Sequence, residues 1–247
     1  MIRRTMLALA ALTVAAFGQE MTVDQIVAKH FEALGGAANL KAIQSVKMTG
    51  KAVMGGGQME APMTLMTKRP NLMRADLMVQ GQNITQAFDG TTAWAVIPFQ
   101  SMEPQKSSAE DTESMAENAD LDGPLMDYAA KGNKLELIGK EDVEGSPAYK
   151  LQLTRKNGKT ESYYLDAASF LLIKTTARRR QMGQELDIEI FPGNYKKVGK
   201  VMMSHSLEQK ANGKPFMTMS FDTIELDVPM DAAQFKMPEP KKPEEKK

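Results

Sequence analysis

The sequence predicts a mainly β protein of the α+β class, in which a pair of helices precedes one curled antiparallel sheet of about eleven strands. Most segments after residue 45 alternate apolar and polar residues with a period of two, as half-buried antiparallel strands do. Tight hairpin turns are indicated at Asp89-Gly90, Asn157-Gly158 and Asn212-Gly213. So many short strands in one domain favour a barrel or a strongly curled sheet.

The first eighteen residues are predicted to be a signal peptide. Arg3 and Arg4 form a basic start, and the apolar run after them is too short to span a bilayer. Small residues then lead to a cleavage point after Gly18. The arginine pair also suggests the twin-arginine route, but no Ser or Thr precedes it and no cofactor site comes after it, so a Sec signal is preferred. We expect an exported, unanchored protein of the bacterial periplasm.

The mature chain is predicted to begin with a helix, and to form one domain over residues 19–237. Thr22 and Gln25 fit a capping box, and Gly35-Gly36 ends the helix. A short second helix is expected over residues 38–43. His30 shares the apolar stripe of the first helix, so we interpret it as a packed residue and not as a ligand.

The strands are predicted from their alternation and from the turns between them. They cover residues 45–54, 59–65, 73–79, 84–88, 92–99, 134–140, 148–154, 160–166, 171–177, 185–191, 201–209 and 216–228. Residues 101–133 break the pattern and contain eight carboxylates. We interpret this stretch as a solvated, partly helical acidic insertion that could act as a lid. The charged tail, residues 238–247, is predicted to be disordered.

Composition argues against several classes of function. The 31 basic and 31 acidic residues cancel, which disfavours a nucleic-acid binder. The absence of cysteine excludes thiol catalysis, thiolate metal sites and a lipidated cysteine, and two histidines leave no multi-histidine site. No phosphate loop or nucleophile elbow is present, and His205 lies among apolar residues of its strand. We therefore predict no catalytic residue, no metal and no cofactor.

Two features point to apolar binding. The sequence has 20 methionines, many of them at the inward positions of their strands, and methionine suits surfaces that accept varied apolar partners. The residues predicted to line this face are Met48, Met59, Met63, Leu65, Met73, Leu77, Trp94, Met203, Met217 and Met219. Composition alone leaves open whether the face bounds a cavity or is a plain core.

Arg69 is the second feature. It keeps the inward parity of its strand and stands directly before Pro70, so its charge should enter the apolar side at a strand end, where it needs a partner. It could bind a ligand's polar head, hold a lid, or extend to water at the rim. The separate basic run Arg178-Arg179-Arg180 is either a solvated strand end or a docking patch for an acidic partner.

Three short blocks resemble one family. Residues 68–72 read K-R-P-N-L, residues 89–94 read D-G-T-T-A-W, and residues 231–238 read D-A-A-Q-F-K-M-P. Similar blocks occur in the same order in LolA-like periplasmic carriers of outer-membrane lipoproteins. The chain departs from that pattern in its length around residues 101–133, in the Gly35-Gly36 helix stop, and in methionines that replace expected aromatics.

The resemblance implies an open half-barrel whose mouth is covered by helices and whose interior binds acyl chains. It also implies that Arg69 helps to set the open and closed states of the cover. The expected function is that of a monomeric, non-enzymatic carrier, which takes lipoprotein acyl chains or another lipid from an inner-membrane donor transporter to an outer-membrane acceptor. A periplasmic sensor or scaffold that uses the same concave sheet is the alternative, and a hydrolase with an unrecognised site is a third, less favoured class.

Overall fold

The computed structural model describes residues 21–181 and 184–239. The predicted signal peptide and most of the predicted tail lie outside the described residues. The helices are α1 (Val23–Ala33), α2 (Ala37–Ala42) and α3 (Ala109–Asn118), and a 3₁₀ helix covers Ala232–Phe235. The strands are β1 (Ser45–Met54), β2 (Met59–Lys68), β3 (Leu72–Val79), β4 (Gln82–Phe88), β5 (Ala93–Ile97), β6 (Ser101–Lys106), β7 (Lys134–Val143), β8 (Ser146–Thr154), β9 (Thr160–Asp166), β10 (Leu172–Gln181), β11 (Gln184–Val198), β12 (Val201–Ala211) and β13 (Lys214–Leu226).

These strands form a single sheet in the order β6-β5-β4-β3-β2-β1-β13-β12-β11-β10-β9-β8-β7. Neighbouring strands pair antiparallel throughout. The first strand along the chain, β1, pairs with the last, β13, in the middle of the sheet. The described sheet ends at the edge strands β6 and β7, which do not pair with each other, so the sheet is open. The predicted mainly β class and antiparallel sheet are confirmed, with thirteen strands in place of about eleven.

The strand that the sequence pattern did not indicate is β6. It pairs with β5, where Trp94 stands opposite Lys106 and Ala95 opposite Gln105. Its sequence, S-M-E-P-Q-K, has no apolar alternation and carries Pro104, both of which are typical of an edge strand exposed to water. Periodicity detects strands that bury one face, and this one buries little.

The sheet curls strongly about one side. α3 packs against β3, β4 and β5, while its Glu113 side chain binds Lys159 in the β8–β9 hairpin. Seven strand spacings of about 4.8 Å separate β3 from β9 along the sheet. A helix of ten residues is only about 15 Å long. The two halves must therefore curve towards each other, and we call the enclosed side the concave face and the other side the convex face.

The first two helices lie on the concave face. α1 buries Ile26 and Val27 against Leu151 and Leu165 of β8 and β9. Ile43, directly after α2, is buried in a second cluster with side chains of β1, β12 and β13. The predicted capping box at the start of α1 is present. Within the described residues, no helix is long and apolar enough to cross a membrane.

The turn between α1 and α2 is fitted closely to the sheet. Gly35 has a φ of +102°, and a Cβ atom there would lie 2.3 Å from the carbonyl oxygen of Lys200 in the β11–β12 turn. The backbone N–H of Met202 donates to the carbonyl of Leu34 at 2.9 Å. Glycine is thus required by both the backbone conformation and the close approach.

A close approach at the centre of the sheet also requires glycine. The β1–β13 register shifts between Thr49 and Gly50, so that Gly50 stands opposite Phe221. A Cβ atom on Gly50 would lie 1.9 Å from the carbonyl oxygen of Ser220, a backbone atom that cannot move without disturbing the ladder. This irregularity lies in the one pair that joins the two halves of the sheet, and it supports their curvature.

We expect Gly50→Ala to lower the free energy of unfolding by about 2 kcal/mol or more, because the clash outweighs the entropic gain of alanine. Urea unfolding followed by circular dichroism measures the effect. Gly193→Ala is the matched control, since the new methyl group would meet only the Ser206 hydroxyl at 3.1 Å. Equal stability of the two variants would contradict the role given to Gly50.

Candidate functional site

The centre of the concave face is lined by methionine side chains. Met48, Met63, Met203 and Met219 are partly buried and pack around the buried cluster that includes Ile43. Leu40 of α2 and Leu121, from the connection between β6 and β7, pack on the same cluster. In this structure the central methionines are therefore partly covered, and a ligand that fills this face would have to displace Leu40 or Leu121.

The other predicted lining residues on this face are identified by cross-strand pairing, because directly paired residues point to the same side of a sheet. Leu65 pairs with Met48, Leu77 with Met63, Met59 and Met217 with Met54, and Met73 with Phe88. Met59 is 36% exposed and marks the open end of the face. Met73 lies at the opposite end, beneath α3. The methionine-rich face is therefore continuous across several strands.

Trp94 lies on the convex face, contrary to its predicted place among the lining residues. Its neighbour Ala93 packs with Phe88 under α3, so Trp94 points to the other side of the sheet. There its indole N–H donates to the carbonyl of Phe235 in the 3₁₀ helix at 2.8 Å, and both side chains are almost fully buried. Trp94 anchors the C-terminal segment and does not belong to the lining.

Residues 107–133, here called the cover segment, connect the edge strands and cross the open side of the curled sheet. Met115, Ala116 and Ala119 pack on Phe88 and Ala93 in one half of the sheet. Farther along, Leu125 and Met126 are buried, and Leu125 packs in the cluster beneath α1. The cover segment therefore buries apolar side chains against both halves.

Several carboxylates of the cover segment pair with specific cations, which the prediction of a solvated acidic face did not anticipate. Glu113 accepts hydrogen bonds from Lys159 and Asn157, each at 2.7 Å. Asp120 pairs with Lys131 within the segment at 2.5 Å. The predicted partial helicity is present in α3, but these carboxylates hold the segment in place.

Arg69 joins the cover segment to the helix pair. Its Nη1 and Nη2 donate to the two carboxylate oxygens of Asp122 at 2.9 and 2.5 Å, and its Nε donates to the carbonyl of Ile43 at 2.7 Å. The guanidinium thus contacts the end of α2 and the cover segment at once. The hydrogen bond from Arg69 holds the pKa of Asp122 below its ordinary value. The pair is consequently intact at neutral pH and is lost only as pH falls below about 4 and through the lowered pKa.

A second group of charges lies on the concave face, beside the cluster under α1. Arg155 donates to both carboxylate oxygens of Glu161 at 3.2 and 3.0 Å, and Arg179 donates to Glu161 at 2.5 Å. Tyr163 donates its hydroxyl to the same carboxylate at 2.6 Å. Glu117 of α3 approaches Arg155 and Arg179 at 3.7 and 3.9 Å. These five residues, here called the charge cluster, connect α3 to β8, β9 and β10.

Burial alone would raise the pKa of Glu161, but hydrogen bonds from Tyr163 and Arg155 and the charge of Arg179 hold it below the ordinary value. Burial raises the pKa of the Tyr163 phenol, and the adjacent Glu161 carboxylate raises it further. At neutral pH the site therefore contains an ionised carboxylate between two guanidinium groups and a neutral phenol. No local sequence pattern indicates this cluster, because its members come from four separate elements.

The predicted basic run at residues 178–180 divides between the two faces. Arg179 belongs to the charge cluster, whereas Arg178 pairs on the convex face with the exposed Asp187 at 3.1 Å. The side chain of Arg180 lies outside the described residues. Arg178 and Arg179 lie on opposite faces, so they do not form a single docking patch. Arg179 is paired with Glu161, so the strand end is not wholly solvated either.

Both histidines are packed. His30 is buried, and its Nδ1 lies 2.8 Å from the carbonyl of Phe170. Burial lowers the pKa of His30, against the opposing effect of that hydrogen bond. His205 Nδ1 lies 2.9 Å from the carbonyl of Phe221, while its buried Nε2 has no partner among the described residues. In that part of the chain no group of three or more His, Asp or Glu residues is arranged to hold a metal ion.

Solved structures share this arrangement of a curled sheet and covering helices. A LolA superfamily protein from Nitrosomonas europaea superposes with a TM-score of 0.58 over 88% of this chain and 98% of its own, at 11% identity. This chain therefore has the same fold as that protein. An outer membrane lipoprotein-sorting protein domain from Vibrio parahaemolyticus gives a TM-score of 0.56 over 85% of this chain and 94% of its own, at 12% identity.

A DUF1329 family protein from Desulfovibrio piger also superposes, with a TM-score of 0.60 over 88% of this chain and 98% of its own, at 13% identity. No protein-family model and no curated protein sequence matches the chain. The likeness at these identities concerns the fold, so the function has to be argued from the residues of the concave face and its cover.

Breaking the Arg69–Asp122 pair is expected to loosen the cover segment without unfolding the sheet. A partly exposed ion pair contributes about 1 kcal/mol, which corresponds to about fivefold in an opening equilibrium. We expect about fivefold faster amide hydrogen exchange over residues 119–132 in Asp122→Asn and in Arg69→Leu, measured by mass spectrometry at neutral pH.

Asp127→Asn is the matched control for this experiment. Asp127 lies in the same segment and pairs with Lys41, but the two side chains are 53% and 45% exposed, so little should be lost. If Asp127→Asn and Asp122→Asn accelerate exchange equally, the Arg69–Asp122 pair has no special role in holding the cover.

Proposed function

We propose that this protein is a periplasmic carrier that binds lipoprotein acyl chains, or another lipid, on its concave face and delivers them towards the outer membrane. The observation that carries the proposal is the continuous methionine-rich face, which is closed by a segment that no strand pairing fixes along its length. The Vibrio structure is described as a lipoprotein-sorting domain and the Nitrosomonas structure as a LolA superfamily protein, and both descriptions support a carrier of lipoproteins.

The energetics favour a covered apolar face for such a task. Each buried CH₂ group contributes about 0.8 kcal/mol, so an unshielded long acyl chain in water costs on the order of 10 kcal/mol. Methionine side chains are flexible and polarizable, and they can repack around chains of different shape. The predicted role of these residues is to surround acyl chains after the cover segment has moved.

The cover segment is suited to reversible opening. Its ties to the sheet are ion pairs such as Arg69–Asp122, each worth about 1 kcal/mol, together with a limited number of apolar contacts. An incoming acyl chain would replace the contacts that Leu121 makes with the central cluster. The balance between a closed empty state and an open loaded state can therefore be shifted by lipid binding.

The proposal predicts saturable binding of a fluorescent fatty acid, monitored by its fluorescence change in a titration. Met63→Asp should weaken the affinity at least tenfold, because a carboxylate would enter the apolar face without a partner. Met78→Asp is the matched control. Met78 neighbours the inward-facing Leu77 on the same strand, points to the convex face and is 42% exposed.

Absence of saturable binding to the unmodified protein would contradict the carrier function and favour a sensor or scaffold that uses the same sheet without lipid. Equal loss of affinity in Met63→Asp and Met78→Asp would place the binding surface elsewhere. Circular dichroism of both variants shows whether each retains the β-sheet signal, so that a loss of binding is not a loss of fold.

A further inference from the structure

The charge cluster stands at the boundary between the apolar part of the concave face and a polar cleft. On β9, Glu161 shares the concave face with Tyr163 and Leu165, both of which pack under α1. Arg155 comes directly after β8 on the same side as Leu153, which is fully buried. Charged groups at one end of an apolar wall match the two parts of an amphiphilic molecule.

A cleft of about 660 Å³ adjoins the cluster on the side of the cover segment. Its charged lining consists of Arg155, Lys131 and Lys156 and of three carboxylates of the cover segment, Glu113, Glu117 and Asp120. The cleft offers room for a polar group beside the guanidinium of Arg155. It lies between the cover segment and the sheet, where an acyl lipid entering the concave face would leave its headgroup.

The two glutamates of the cluster differ in how they contact the arginines. Glu161 is fixed on β9 and its side chain is only 4% exposed, with hydrogen bonds of 2.5 to 3.2 Å from Arg155 and Arg179. Glu117 belongs to the cover segment, and its distances of 3.7 and 3.9 Å exceed the range of hydrogen bonds. Its contribution is therefore electrostatic attraction across a gap.

Movement of α3 away from the sheet would leave the cluster with an excess of positive charge. Arg155 and Arg179 contribute two positive charges and Glu161 one negative charge, so the part of the cluster fixed to the sheet has a net charge of +1. Within the described residues, no hydrogen bond is found from Nη1 of Arg155 or from Nε and Nη1 of Arg179. The nitrogens nearest to Glu117 are Nε of Arg155 and Nη2 of Arg179, and both already donate to Glu161. An oxyanion in the place of Glu117 would use the second N–H of Nη2, and it would reach the free donors after the guanidinium groups reorient.

We propose that Arg155 and Arg179 form a binding site for the phosphate or carboxylate headgroup of an anionic acyl lipid, and that Glu117 of α3 occupies this site in the closed state. The proposal rests on the proposed lipid-carrier function and adds the chemical class of the ligand. The headgroup displaces Glu117 from the arginines, so binding of the lipid and release of α3 are coupled at the same two side chains.

A purely structural role for Glu117 would predict a closer contact. The Arg69–Asp122 pair, by comparison, has two hydrogen bonds of 2.9 and 2.5 Å from one guanidinium. Glu117 makes no hydrogen bond to either arginine at its distances of 3.7 and 3.9 Å. Glu117 therefore balances the positive charge of the two arginines without a hydrogen bond, and an anionic headgroup could displace it without breaking one.

The test compares two lipids with identical short chains, dioctanoyl phosphatidic acid and dioctanoylglycerol, by titration calorimetry. We expect Glu117→Gln to bind the phosphatidic acid about fivefold more tightly, because the competing carboxylate is gone. Arg179→Gln should bind it about tenfold more weakly. The affinity for the neutral diacylglycerol should change less than twofold in both variants.

Arg178→Gln is the matched control, since it removes the same charge from the adjacent residue on the opposite face, where Arg178 pairs with exposed Asp187. Thermal unfolding shows whether Arg179→Gln remains folded, and Glu117→Gln tests the proposal independently of that result. Inorganic phosphate alone should bind far more weakly than the phosphatidic acid, because it lacks acyl chains.

The outcomes separate this inference from the proposed function. If both lipids bind and no variant changes the preference for the anionic one, the headgroup site is refuted while the carrier function stands. If neither lipid binds, the carrier function fails and the headgroup site fails with it. If inorganic phosphate binds as tightly as the phosphatidic acid, the ligand is a free anion and the assignment to a lipid is overturned.

Discussion

The structure depends on the burial of one apolar face of an open sheet by a segment that is not part of the sheet. The two halves join only through the β1–β13 pair, and the two edge strands are far apart in the sheet order. The cover segment connects these edges and crosses the open side, where it packs Met115 on one half and Leu125 on the other. Removing it would expose the methionine-rich face to water.

The two kinds of contact that hold the cover have different consequences. Apolar contacts are non-directional, and acyl chains can replace them without loss. The ion pairs are directional and individually weak, so they select one closed position without making it permanent. Arg69 joins the cover to α2 by hydrogen bonds, whereas the charge cluster attracts Glu117 of α3 across a gap. A ligand with both an apolar chain and an anionic head would substitute for both kinds of contact.

Most of the fold is predictable because its strands bury one face. The alternation of β1 and β2 and the turn at Asp89-Gly90 correctly indicate strands and hairpins. The polar edge strand β6 escapes prediction because it buries too little to carry a pattern. The parity of Arg69 correctly indicates a charge that needs a partner, but no local signal names Asp122, 53 residues away.

The errors in the site have related causes. The prediction that Trp94 lines the concave face is wrong because its neighbour Ala93 pairs with the inward-facing Phe88, so Trp94 points to the opposite face. The carboxylates of the cover segment suggest a solvated face because no apolar pattern surrounds them. Their partners are distant in sequence: Lys159 and Arg155 lie in the β8–β9 hairpin, and Arg179 lies on β10. Ion pairs between residues so far apart in sequence are determined by the tertiary structure alone.

The central claim is that acyl chains occupy the concave face, and brominated acyl chains can locate them by quenching tryptophan fluorescence. The chain has one tryptophan, Trp94, on the convex face, so a Met63→Trp change in a Trp94→Phe background moves the single indole to the concave face. A brominated fatty acid should strongly quench the relocated indole and leave the native Trp94 fluorescence nearly unchanged. Strong quenching of Trp94 with little quenching of the indole at position 63 would contradict the account.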